Sequence, residues 1–164
     1  HGRSLADSHK ELPTVTASAE ELETDLRPFR TLAHAPIGMT AHVRYTAWDA
    51  DNPGTLSPFV VQEIIRGRIG FDGLLLTDDL DMEALSGSVP ERAARAIAAG
   101  CDIALNCWAK MDDMVGIAKA LPAISPEARA RLERAMASCP EGAGTGDHAA
   151  LVARREALLA QGVA

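Results

Sequence analysis

One stretch constrains this fold more than any other. Gly70-Phe71-Asp72-Gly73 leads into Leu74-Leu75-Leu76-Thr77, and the run breaks at once into Asp78-Asp79-Leu80-Asp81. A short run apolar on both faces reads as a strand buried in a parallel sheet, because helices cover both sides of such a sheet. Two similar runs flank it: 35–43, which includes Met39-Thr40-Ala41-His42-Val43, and Cys101-Asp102-Ile103-Ala104-Leu105. Helical patterns separate the three. Ser57-Pro58 opens one with proline at the first helical position. Val60, Val61, Ile64, Ile65 and Ile69 then recur at three- and four-residue spacing, and Gly70 stops the helix. Ser88 and Glu91 form a capping box for the next, which ends at Gly100. The alternation predicts right-handed βαβ units in a parallel sheet, with strands near 37–42, 73–77 and 102–105. Three strands are few for 164 residues. They leave two edges that expect neighbours, so the runs read as the last units of a larger barrel or sheet.

The remaining segments are plainer. Residues 1–17 and 44–56 read as loops. Ser18 with Glu21 is a second capping box, and Pro28 ends or kinks the helix it starts, leaving Phe29 and Leu32 as packing residues. Helices are expected over 111–121 and 125–137. Residues 138–147, with Pro140, Gly142, Gly144 and Gly146, read as a linker before a last helix near 148–161.

Composition excludes several classes of function. The formal charge is −7, which disfavours nucleic acid or an anionic membrane as partner. Aromatic residues make up only 4%, too few for a base-stacking platform. No apolar run approaches the roughly 18–20 residues of a spanning helix. Cys101, Cys107 and Cys139 are odd in number and form no CxxC pair, so neither a disulfide framework nor a thiolate zinc site is expected. Free thiols in a reducing compartment are the simplest reading. The chain opens at His1 with no signal-like segment, which suggests a removed leader or a start inside a longer protein.

In parallel α/β folds the C-terminal strand ends face the active site. Asp78 and Asp79 lie at such an end, His42 follows the first strand, and Asp7-Ser8-His9 sits in the opening loop. A strand-end carboxylate is held rigidly, as a nucleophile or metal ligand requires. An aspartate there also caps turns, and the acidic run 78–83 could hold magnesium, although no phosphate-cradling glycine loop accompanies it. In Asp7-x-His9 the carboxylate can orient the ring through one nitrogen while the other faces a substrate, yet such pairs are commonly solvated surface. His42 is either a site residue or a satisfied core histidine. Cys107 and Trp108 read as packing residues.

The segments 1–13 (ending Asp7-Ser8-His9-Lys10-Glu11-Leu12-Pro13), Met39-Thr40-Ala41-His42-Val43 and 70–83 occur in that order. Together they closely resemble the bacterial β-N-acetylglucosaminidases of glycoside hydrolase family 3. The resemblance spans about residues 1–137. It implies an α/β fold: the C-terminal part of a (β/α)8 TIM-type barrel, about three βα units plus C-terminal helices. On that view residues 1–137 are barrel, 138–147 a Gly/Pro linker and 148–164 a C-terminal helix. It implies a retaining glycosidase with Asp78 as nucleophile, His9 as acid/base and Asp7 as its orienting partner, with neither cofactor nor metal. The substrate implied is a terminal β-linked N-acetylglucosamine on a muropeptide, in cytoplasmic cell-wall recycling. The family's Lys-His sugar-gripping segment and its upstream Asp and Arg contacts are not in this sequence, so the N-terminal barrel half becomes an implied partner. The alternative is an inactive barrel fragment serving as a binding or assembly module. A magnesium-binding receiver-like domain would need five strands rather than three.

Overall fold

The computed structural model describes residues 2–139 and 147–161. Its elements in chain order are β1 (Thr14–Val15), α1 (Ala19–Asp25), α2 (Arg27–Thr31), β2 (Ile37–Met39), β3 (Arg44–Tyr45), a 3-10 turn (Gly54–Leu56) and a π-helix (Val60–Ile69). There follow β4 (Leu74–Leu76), α3 (Val89–Ala99), α4 (Met111–Ala120), α5 (Pro126–Ala137) and α6 (His148–Gln161).

β2 and β4 pair in parallel, with Ile37 opposite Leu74 and Met39 opposite Leu76. Leu76 in turn makes a parallel bridge to Ile103. The three expected segments therefore lie side by side in the expected direction, although the third is reduced to one bridge. Leu74 and Leu75 are buried, as a strand flanked on both edges demands. The core behind them joins Leu56, Val61, Phe71, Leu75, Leu80 and Leu85 to the alanine face of α3, Ala93, Ala96 and Ala99. α3 packs on α4 and on the 3-10 turn. Both capping boxes form as read: the Ser18 amide donates to Glu21 and the Ser88 amide to Glu91, each at 2.8 Å.

Three local expectations are corrected. The segment after Ser57 is wound with i→i+5 bonds instead of α-helical ones, and Gly70 ends it at φ +78°. The wider π winding brings Val60, Ile64 or Ile65, and Ile69 onto one face, whereas at about 3.6 residues per turn Val60 and Ile69 would stand on opposite faces. Residues 1–17 and 44–56 are not all loop: β1 pairs in parallel with β3, Thr14 opposite Arg44. Val15, Leu22 and Val43 form a small second core beneath that pair. Phe29 and Leu32 are exposed instead of packed. They line an apolar cavity of about 350 Å³ along β2, together with Leu26, Ile37, Met39 and Ile69. Ile37 and Met39, on one face of β2, are 51% and 55% exposed, and among the described residues β2 has a strand on one edge only. Most of the expected linker lies outside the described residues. α6 buries none of its side chains.

Candidate active site

The end of β4 is fastened from several directions. The Thr77 amide donates to the Ile103 carbonyl at 3.0 Å, and the Thr77 hydroxyl accepts from the Leu105 amide at 2.8 Å. The Leu80 amide donates to the Leu105 carbonyl, and Arg92 of α3 donates to the carbonyls of Leu80 and Met82 at 2.7 and 3.1 Å. Asp78 and Asp79 thus ride on a braced turn.

Their carboxylates are used differently. Asp79 Oδ1 accepts from the amides of Asp81 and Cys107, at 3.2 and 2.9 Å. The first bond is an Asx turn, and the second ties down the loop after Leu105. The turn-capping role is therefore met by Asp79. Asp78 Oδ1 accepts only from the Asp79 amide, at 2.8 Å, and Oδ2 accepts no hydrogen bond among the described residues. Asp78 is part-buried and retains an oxygen free to react.

In the opening loop, Asp7 Oδ1 accepts from His9 Nδ1 at 2.9 Å and from the His9 amide at 3.0 Å. These two bonds, the backbone one foremost, hold the Asp7 carboxyl below the usual aspartate range. An ionised Asp7 must accept, so Nδ1 carries the proton and Nε2 is left for a substrate. The His9 side chain is 75% exposed. The loop is a hydrogen-bonded turn, with the Lys10 and Glu11 amides donating to the Asp7 carbonyl. Ser8, between the dyad residues, is buried, and its carbonyl accepts from the Ala84 amide at 3.2 Å. That bond docks the dyad loop onto the segment that continues from Asp78. β1 fixes the far end of the same loop: the Arg44 amide donates to the Pro13 carbonyl at 2.9 Å.

Two further readings are decided by the structure. His42 is fully buried and bonded through both ring nitrogens, to Thr55 and to the Asp79 carbonyl. Trp108 is exposed, contrary to the packing role expected for it, as is Cys107. The carboxylates of Asp79 and Asp81 take up the backbone amides of 107 and 108 and so turn these side chains outward. Lys110 Nζ lies 4.9 Å from the Trp108 ring centre. The apolar cavity along β2 contains none of Asp7, His9 or Asp78. It marks an uncovered strand, not the site.

The structure thus sets a strand-end carboxylate and a carboxylate–imidazole pair on two loops joined by the Ser8–Ala84 backbone bond, at the end of a parallel sheet. The chain belongs to the glycosyl hydrolase family 3 N terminal domain family, which matches residues 1–137. It is 50% identical over 115 residues to a beta-hexosaminidase of Tolumonas auensis, covering 65% of this chain and 34% of that protein. A beta-hexosaminidase of Aromatoleum aromaticum is 41% identical over 148 residues, covering 87% of this chain and 41% of its own length. Among solved structures, a glycoside hydrolase family 3 beta-N-acetylglucosaminidase from Paenibacillus sp. str. FPU-7 matches 90% of this chain and 32% of that one. Its TM-score is 0.75 at 31% identity. NagZ from Neisseria gonorrhoeae, in complex with N-trifluoroacetyl-D-glucosamine, matches 82% of this chain and 39% of that one, with TM-score 0.68 at 34% identity. The chain thus spans 34% and 41% of the two beta-hexosaminidases.

Proposed function

We propose that this chain carries the reacting groups of a retaining β-N-acetylhexosaminidase, as the last three βα units of a (β/α)8 barrel. The observation that carries the reading is the difference at 78–79: Asp79 Oδ1 takes up two backbone amides and so braces the turn and the loop after Leu105, while the Asp78 carboxylate accepts a single backbone amide. Asp78 attacks the anomeric carbon as the bond to the leaving oxygen breaks, giving a glycosyl ester. His9 donates its Nε2 proton to that oxygen. It then accepts a proton from water, which attacks the ester and returns Asp78 to its ionised form with the configuration retained. Asp7 orients the ring and stabilises the imidazolium. A histidine suits both halves of this cycle because an ordinary imidazole titrates near pH ~6.5.

The substrate we infer is a terminal β-linked N-acetylglucosamine on a muropeptide, cleaved in the cytoplasm during cell-wall recycling. The names of the relatives support the sugar; the muropeptide follows from the sequence resemblance. The partner is an N-terminal barrel half. The exposed Ile37 and Met39 and the cavity beside them support it, since a fourth parallel strand and its helix would cover both. The same face would serve an inactive fragment acting as an assembly module. Hydrolysis separates the two readings. Joined to the first barrel half of a relative, the chain is expected to cleave an aryl β-N-acetylglucosaminide in preference to the aryl β-glucoside. Assembly without hydrolysis would leave the module reading in place, and a preference for the glucoside would refute the hexosaminidase. The 164-residue chain alone is expected to show no turnover.

A further inference from the structure

His42 is an ionisable residue where an apolar one would pack. Its exposure is zero, yet both ring nitrogens are satisfied. Nε2 lies 2.8 Å from the Asp79 carbonyl oxygen. A carbonyl only accepts, so Nε2 carries a proton. Nδ1 lies 2.8 Å from Thr55 Oγ1, which lies 2.8 Å from Thr40 Oγ1. In the neutral ring Nδ1 can only accept, so the Thr55 hydroxyl donates to it and itself accepts from Thr40. One proton order satisfies all three buried groups. Protonating the ring would reverse both hydroxyls and place a charge in a buried site, and burial holds the imidazole below its ordinary titration range. Asp78 and Asp79 pull the other way and Arg92 pulls with burial; burial is the largest influence.

The relay ends on the residue beside Asp78. The amide of Asp79 donates to Asp78 Oδ1, and its carbonyl accepts from His42. Asp79 is thus held through both its amide and its carbonyl, and His42 supplies the anchor from the β2 side. We propose that neutral His42, ordered by Thr55 and Thr40, is a positioning residue that fixes Asp79 and through it aims the Asp78 carboxylate. The inference rests on Asp78 as nucleophile and adds the device that orients it. His42 does not touch substrate and is not itself a catalytic residue.

Two substitutions separate positioning from packing. Glutamine can place its Nε2–H where the imidazole Nε2–H stands, whereas the shorter asparagine reaches only as far as Nδ1. In ¹³C,¹⁵N-labelled chain, the His42 ring is expected to show the Nε2–H tautomer at pH 7 and to titrate below the range of an ordinary imidazole. The Asp78 side-chain carboxyl signal and the Asp79 amide signal should remain near their wild-type shifts in His42→Gln and move clearly in His42→Asn. A neutral Nδ1–H tautomer, a ring that is already charged at pH 7, or Asp78 signals equally unmoved in both variants would overturn the proposal. The tautomer measurement needs no variant, so it decides even where a substitution prevents folding. None of these readouts requires turnover: a completed barrel without hydrolysis would sink the glycosidase reading and leave the relay intact.

Discussion

Removing the charge of Asp102 tests how the strands are held at the end opposite the site. Asp102 stands at the start of the third strand segment, and its side chain is only 5% exposed. Oδ2 accepts from Arg66 Nη2 at 2.8 Å and from the Leu75 amide at 2.9 Å, and Oδ1 accepts from Arg131 Nη1 at 3.0 Å. One carboxylate thus ties the π-helix, β4 and α5 together. In Asp102→Asn the amide oxygen can keep the Leu75 bond, but both arginines lose their counter-charge. Breaking a buried pair from one side costs about 3–5 kcal/mol. Two features place this site at the lower end. Arg66 still donates to the carbonyls of Phe71 and Gly73, and Arg131 is exposed enough to reach water. We therefore expect a loss of about 3 kcal/mol, equivalent to a melting temperature lower by about 6–12 °C for a chain of this size. Urea titration followed by circular dichroism measures it, with an unchanged slope confirming that the same surface unfolds. Asp72→Asn is the control: its side chain is 77% exposed, and its bonds to Arg131 and Arg134 are worth less than about 1 kcal/mol. Should Asp102→Asn be too unstable to measure, Arg131→Gln removes the more exposed partner and should cost about 1–2 kcal/mol. A loss for Asp102→Asn no larger than for Asp72→Asn would show that the arginines are hydrated and that the reasoning fails.

Other outcomes are expected on the same footing. The Cys101 thiol is buried and pushed up to about 12, so a disulfide reagent at pH 8 should label Cys107 and Cys139 in the folded chain and reach Cys101 only on unfolding; fast native labelling of all three thiols would contradict this. Gly100 caps α3 at φ +114°, where an added Cβ would also crowd Val61 and Gln62, so Gly100→Ala should cost about 1–3 kcal/mol by the same titration, and a neutral result would count against that backbone geometry. Because His42 has a folded-state pKa below its unfolded one, the unfolded chain binds the extra proton, and stability falls as pH drops below ~6.5, by at most ~1.4 kcal/mol per unit. His42→Gln should abolish that slope between pH 7 and 5.5, and an equal slope in both proteins would exclude His42 as its source. In a completed barrel Asp78→Asn should abolish turnover while Asp79→Asn, which disturbs the turn, loses only part of it; the reverse order would move the nucleophile by one residue.

Much of the fold was legible because its signals are local. A capping box needs only Ser18 and Glu21 or Ser88 and Glu91, and both form. The Leu74–Leu76 run announces a strand buried on both faces, and it is one. What was missed depends on partners distant in sequence. β1 and β3 have two residues each, too few to show a period of two, and exist because Pro13, Val15 and Arg44 meet across thirty positions. The π winding of Val60–Ile69 was invisible because Val61, Ile64, Ile65 and Ile69 recur at the three- and four-residue spacing of an ordinary α-helix. Phe29 and Leu32 read as packing residues from their side chains alone, whereas they stand exposed on the open cavity along β2.

The candidate site divides along the same line. Asp7, His9 and Asp78 could be singled out because each carries its chemistry in a short motif. The difference between Asp78 and Asp79 could not, since both follow the strand and have the same side chain. It arises from the loop after Leu105, whose Cys107 amide takes up one carboxylate and leaves the other with a single backbone bond. His42 was ambiguous for a related reason: a buried histidine shows its purpose only through what its two nitrogens reach, and Thr55 and Asp79 lie 13 and 37 residues away. The reacting groups are thus marked by local sequence, while the choice among them and their aim are set by contacts between strand ends. Substitutions at Thr55 or in the 106–108 loop should therefore act on the Asp78 environment without altering any residue the motifs contain.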